Sequence, residues 1–258
     1  MRLYLKYFSM HLQSQMQYKV SFFLTALGQF LVSFTALLGL WFMFLRFHEV
    51  EGFSFPQVLL CFATMLMAFS LAEFLGRGFD HFPRIISNGE FDRMLVRPRR
   101  VALQVLASKM EFSRLGRLLQ AVLVFCYAIP ASGVNWTYDK IITLCLMVIC
   151  GSMVFFCLFL IYAAISFFTI EGLEFMNIFI DGSREFGRYP FSVYGKEVLR
   201  FLTYVIPLAL FQYYPLLYIL ERKTSSLYMF MPLLALPFAI PAYAFWRFGL
   251  SRYKSTGS

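Results

Sequence analysis

The sequence predicts an all-α polytopic membrane protein with six transmembrane helices, and three observations carry that reading. Of the 258 residues, 60% are hydrophobic and only 14% are charged, where a soluble domain carries about 25% charged residues. Six uncharged runs recur along the chain, each near the ~20 residues that cross ~30 Å of hydrocarbon as a helix. The net charge is +9, and the cations sit between the runs. Orientation in a membrane accounts for them there better than nucleic-acid binding does.

Residues 2–19 read as an interfacial helix. Leu5, Phe8, Leu12 and Met16 share one side, and Lys6, Ser9, Gln13 and Gln17 share another. Such a helix buries its apolar side at the headgroup level. The plainer alternative is a frayed lead-in to the first span. This polar segment separates Met1 from the first apolar run, unlike a cleavable signal peptide. The runs are Val20–Leu45, Gly52–Ala72, Leu118–Tyr138, Ile141–Ile170, Phe201–Leu220 and Thr224–Trp246. They are continuous rather than alternating, so they read as helices, whose backbone groups are satisfied internally in lipid.

With six crossings, both termini share a side. That side holds the N-terminal segment, residues 73–117, residues 171–200 and the C-terminus. It carries nineteen of the 23 lysines and arginines, and Arg46, Lys140, Arg222 and Lys223 face the other way. The bias predicts cytoplasmic termini. Trp136, Tyr138 and Trp246 near the run ends fit interfacial aromatic belts.

No GxxxxGK[ST] phosphate loop and no dinucleotide fingerprint occurs. His11, His48 and His81 fall in separate non-spanning segments, and the five cysteines lie inside apolar runs without a CxxC, so a metal site is not expected. No cofactor is expected in this chain. ATP, if used, belongs to another subunit. Ionisable residues inside spans mark ion pathways because they are costly there, and the central parts of the six runs have none. Glu73, near the cytoplasmic end of the second run, is followed by Arg77 and Asp80. Glu73 and Arg77, four apart, suit pairing on one helix face, either as a solvated helix end or as a gate or docking contact.

Residues 73–117 form the longest basic segment and are expected to be a cytoplasmic loop. Asn88-Gly89 reads as a turn, and Pro98 stops a helix. Between them a short helix is predicted over Glu90–Val96. It places Phe91, Met94 and Leu95 on one stripe, with Arg93 and Arg97 on another side. An exposed helix of this kind suits a cleft on a partner protein. A basic loop against anionic lipid is the alternative.

With these motifs in view, the chain resembles the membrane subunits of type-2 ABC exporters over essentially its whole length. The resemblance rests on an amphipathic start before six spans, on Gly89-Glu90-Phe91-Asp92 to Leu95-Val96-Arg97-Pro98 after the second span, and on the tail Trp246-Arg247-Phe248-Gly249 to Tyr253-Lys254-Ser255. It implies two permease subunits, identical or related, around a pathway in a bacterial plasma (inner) membrane. It also implies two cytoplasmic ABC ATPase subunits beneath, which hold the ATP, so the chain itself is not an enzyme. ATPase coupling would fall to Gly89, Glu90, Phe91, Asp92, Met94, Leu95, Arg97 and Pro98.

The resemblance also offers a second layout near the C-terminus. Residues 171–190 become the fifth span and 190–222 a re-entrant hairpin, which changes the cation partition to fifteen and eight. Glu171, Glu174, Asp181, Arg184, Glu185 and Arg188 are costly for a lipid-facing helix, and hydropathy favours 201–220 as the span instead. A stand-alone secondary transporter or channel for a small solute is the rival function. A membrane-embedded enzyme would need a polar cluster inside the spans, which the sequence does not display.

Overall fold

The computed structural model describes residues 2–169 and 173–254; Glu171 and Ser255, both used above, lie outside them. Among the described residues the protein is helical, with a single β-bridge, Val50 to Phe53, in one turn. The first helix, α1 (Arg2–Gln17), is followed after one residue by α2 (Lys19–Arg46). Next comes α3 (Phe55–Asp80), whose start is written locally. Pro56 lies in the first turn, and the Gln57 side chain accepts from the Ser54 N–H at 3.3 Å, both helix-starting devices.

Three short helices come next: α4 (Phe82–Ser87), α5 (Glu90–Leu95) and α6 (Val101–Ser108). A 3-10 turn over Phe112–Arg114 leads into α7 (Leu115–Ala131), and α8 (Tyr138–Ile165) returns. Beyond lie α9 (Leu173–Phe186), α10 (Lys196–Tyr204), α11 (Leu208–Phe211), α12 (Tyr213–Ile219) and α13 (Leu227–Phe230). A 3-10 stretch over Met231–Phe238 then joins α14 (Ala239–Arg252).

The centre of the molecule is α3, clasped by α7 and α8, with α14 packed on α8. Among the described residues five helical stretches are long and apolar enough to cross a membrane, Lys19–Arg46, Phe55–Ser87, Phe112–Ala131, Tyr138–Ile165 and Leu227–Arg252. The expected run boundaries shift. The second helix continues past Ala72 to Asp80, the third begins at Leu115, and the fourth ends at Ile165.

The expected cytoplasmic loop 73–117 is mostly helix packed against the bundle. A straight span over Phe201–Leu220 is overturned, because α10 and the α11–α12 stretch meet at 89°. Pro207 at the bend supplies no N–H to carry a helix through. The helix α1 packs on the chain itself. Phe8 packs its ring on Phe112 at 4.9 Å and on Phe74 at 6.2 Å, while Gln15 bonds both Met110 and Phe112 of the chain's own backbone.

The charged segment α9 lies along α3 in the opposite direction. Asp181 shares a cavity with Asp80, Arg184 stands over the Phe69 ring at 5.0 Å, and Gly187 meets Met65. The bent segment is fastened at its end by Lys140 to Glu221 at 2.5 Å, by Tyr218 donating to Asp139 at 2.6 Å, and by Arg222 over the Phe53 ring at 3.8 Å.

Candidate functional site

Gly89 begins the short helix that precedes the basic stretch Arg97 to Arg100. Its φ of 69° is the left-handed conformation that a glycine adopts without a Cβ penalty. The helix that follows, α5, ends one residue earlier than expected, at Leu95. Its apolar stripe divides. Phe91 is fully buried, Met94 is half-buried against the core, and Leu95 and Val96 are 42% and 83% exposed. The expectation that Phe91 forms part of an outward stripe is therefore corrected. Its ring meets Phe82 at 5.0 Å, Tyr253 at 4.9 Å and Phe167 at 5.6 Å. Burying the ring inside the chain removes more apolar area from water than presenting it at a six-residue surface helix.

This aromatic cluster joins the ends of three long helices. Trp246 of α14 packs on Phe82 at 4.9 Å, on Phe167 at 5.1 Å and on Phe79 of α3 at 5.2 Å. Tyr253 also donates to Asp92 at 3.1 Å. The two sequence motifs named separately above, one in residues 89–98 and the other in the tail, are thus one contact. Gln104, which sequence reading did not single out, donates to the carbonyls of Met94 at 3.0 Å and Arg99 at 3.1 Å and so ties the loop after α5 to α6. In turn α6 presses on α3 at Gly78, where a Cβ would stand 1.9 Å from the Val105 carbonyl oxygen. What faces outward from this mount is Glu90, Arg93, Leu95, Val96, Arg97 and Pro98.

Directly above is a buried ion-pair network. Glu73 and Arg77 approach to 3.5 Å, as their spacing suggested, but Glu73 is only 4% exposed and is no solvated helix end. It is also met by Arg117 at 2.9 Å and Arg114 at 3.4 Å. Arg77 bonds Asp80 and, at 3.3 Å, Glu111, which also takes Arg114 at 2.9 Å. Arg114 reaches α2 by donating to Gln29 at 2.9 Å. Burial works to raise the Glu111 carboxyl, but Arg77, Arg114 and Lys109 outweigh it and hold the carboxyl below the ordinary carboxylate range.

A polar cavity of about 460 Å³ opens beside this network, lined by Glu73, Arg77, Asp80, His81, Glu111 and Asp181 among others. Sequence reading missed Arg114 and Arg117 because they precede an uncharged run. Arg114 ends the 3-10 turn and Arg117 lies in the first turn of α7, which starts before the uncharged run does. Among the described residues no group of three or more histidine, cysteine or acidic side chains could hold a metal ion.

A family model described as "ABC-2 family transporter protein" matches residues 30–257. No curated protein and no solved structure matches the chain. The match covers the five membrane-length helices from residue 30 onward, the α5 segment and the Tyr253 contact beneath it. The chain is a multi-pass membrane transport subunit and belongs to the ABC-2 family of transporter proteins.

Proposed function

We propose that this chain is one permease subunit of an ATP-driven exporter, paired with a second permease and driven by two cytoplasmic ABC ATPase subunits that hold the ATP. The observation that carries the reading is the division of α5. Phe91 roots the segment in an aromatic cluster shared by α3, α8 and α14, while Leu95 to Pro98 project from it. A push on the projecting tip is then delivered to three long helices at once. Glu73 and Arg77 sit where α3 is bridged to the start of α7 by Arg114 and Arg117, which suits a gate whose ion pairs are made in one state and remade in another. The remaining coupling residues divide by role. Gly89 sets the entry angle, Asp92 ties to Tyr253, Met94 half-buries against the core, and Glu90, Leu95, Arg97 and Pro98 meet the ATPase.

The layout in which α9 belongs to the fifth span and 190–222 form a re-entrant hairpin is supported by the antiparallel run of α9 along α3 and by the 89° bend. Cytoplasmic termini are supported by the cation bias of the sequence, and a bacterial inner membrane by the family resemblance. A second permease, identical or related, is supported by the exposed flank of α2. The test is purification of the chain from its native membrane in mild detergent after crosslinking. A stoichiometric phosphate-loop ATPase should accompany it, and Leu95→Asp, at a surface position, should insert normally and lose that ATPase. Transport that runs on an ion gradient and ignores ATP would overturn the reading.

A further inference from the structure

A second polar site lies higher in the bundle than the network around Glu73. Between α2, α3, α7 and the end of α9 is a small cavity of about 40 Å³ lined by Ser33, Met65, Leu66, Arg117, Arg184 and Arg188 among others. No carboxylate lines it among the described residues. Ser33 is at the middle of the 28-residue α2, about 20 Å from either end at 1.5 Å per residue. Guanidinium groups at that depth are costly and mark a binding or transport role by default. Their acids lie behind them. Arg184 reaches Glu185 at 3.1 Å and Asp181 at 3.5 Å, Arg188 reaches Glu185 at 2.5 Å, and Arg117 reaches Glu73 at 2.9 Å. Arg184 and Arg188 thus share Glu185. At the same level Gln120 is 2% exposed, and its Nε2 has no hydrogen-bond partner, although its Oε1 accepts from Ser33.

Two features describe what would enter. Val32, which lines the cavity, is 63% exposed, so the mouth lies on the apolar flank of α2. Below it Ser21, Thr25, Gln29 and Ser33 recur every four residues, a single polar track on one face that climbs to the cavity from the start of α2. We propose that this cavity binds the anionic head of an amphipathic molecule, such as a phosphate or phosphonate ester, while its apolar body lies along the exposed flank of α2. Planar guanidiniums suit such oxyanions through paired charge-assisted hydrogen bonds. That the bound amphiphile is the exported cargo rests on the transporter reading above; the binding itself does not.

The test is equilibrium binding of dodecyl phosphate to the purified chain in neutral maltoside micelles, read as a shift in thermal unfolding. Arg184→Gln and Arg188→Gln should weaken binding roughly tenfold to a hundredfold, as expected for loss of a charge-assisted hydrogen bond. The surface variant Arg100→Gln should bind as the parent does. Glu185→Gln removes the competing carboxylate and should bind dodecyl phosphate more tightly, an outcome that damage to the fold cannot mimic. Equal binding by the parent and the two arginine variants, or no tightening in Glu185→Gln, overturns the proposal. Inorganic phosphate that competes as well as dodecyl phosphate overturns its amphipathic part.

Two sources of the head group are distinguished in nanodiscs. Competition by phosphatidylglycerol but not by phosphatidylcholine assigns the site to bilayer lipid. Competition by neither assigns it to a separate amphiphile, and both outcomes support the anionic-head site. No ATPase enters these measurements, so their failure leaves the transporter reading intact, and the converse holds as well.

Discussion

The helices α2 and α3 are both long and apolar, with 28 and 26 residues, yet 6% of the most apolar window of the first span is buried against 78% for the second. The difference comes from their neighbours. Helix α3 is enclosed by α6, α7, α8 and α9, whereas α2 rests mainly on α7 and the 3-10 turn before it. Small residues make the enclosure feasible. Ala63, Ala68 and Ala72 are fully buried along α3, as expected where helix backbones approach closely in a membrane. In lipid an apolar side chain gains little by leaving the acyl chains for a protein interior. Hydrophobicity therefore states that both helices cross and says nothing of which one is the core.

The comparison can be broken most severely at a glycine. Gly78→Leu on α3 would drive a side chain into the Val105 carbonyl, a backbone atom that cannot swing aside. Aggregation on size exclusion is the expected result, while Gly39→Leu on α2, which meets nothing within 4 Å, should elute as the parent does. Next in size is Glu73→Ala, which leaves Arg114 and Arg117 buried without their shared carboxylate and should cost about 3–5 kcal/mol, measured by unfolding in mixed micelles. A small loss there would show that water, rather than protein, surrounds the network.

Within the α5 segment, Phe91→Ala should cost about 3–5 kcal/mol as a buried aromatic truncation. Leu95→Ala should stay within about 0.5 kcal/mol, as a surface change does, and affect only ATPase coupling. Similar losses at the two positions would remove the distinction between root and tip. On α2, Phe23 is 66% exposed, and Phe23→Ala should change the stability of the isolated chain by no more than about 0.5 kcal/mol. A larger loss would mean that a second copy covers this flank in detergent.

The smallest effect is expected at Glu111, which joins the two helices by holding Arg77 of α3 and Arg114, the partner of Gln29 on α2. Its carboxyl is held below the ordinary range. Its contribution is thus full above that range and fades as pH falls through the lowered value. Glu111→Gln should flatten the acid side of the stability-against-pH curve and leave the neutral side lower. An unchanged acid limb would show that the joint carries no charge coupling.

Much of the site was legible as a segment and little of it as a set of contacts. Asn88-Gly89 and Pro98 bracket the short helix in the sequence, and it forms as Glu90–Leu95 between them, because turn and helix-stop preferences are local. The direction of Phe91 was not legible. Its stripe with Met94 and Leu95 is compatible with an inward or an outward face, and Tyr253, 162 residues away in the chain, decides which. The charges of α9 read as a penalty for a lipid-facing helix. Their ion pairs with one another, and the stacking of Arg184 on Phe69, show how the chain accommodates them. Glu73 and Arg77 were visible as a pair at helical spacing. The other two arginines on Glu73 come from the 3-10 turn and the start of α7, beyond the reach of any local pattern.

By itself the sequence determined that this protein is a helical membrane protein, how many apolar runs it has, which side its cations favour and where the short helix between Asn88-Gly89 and Pro98 lies. These follow from length, composition and the energetics of transfer into lipid, all of which are properties of a single segment. Only the tertiary structure decided that α3 is the core and α2 its flank, that residues 201–220 bend instead of crossing straight, that the two distant motifs meet at Phe91 and Tyr253, and that three arginines share one cavity beside the middle of α2. Each of these depends on which helices touch. In a bilayer that choice is made by close packing of small residues, by aromatic edges and by ion pairs, not by the hydrophobicity that all the spans have in common.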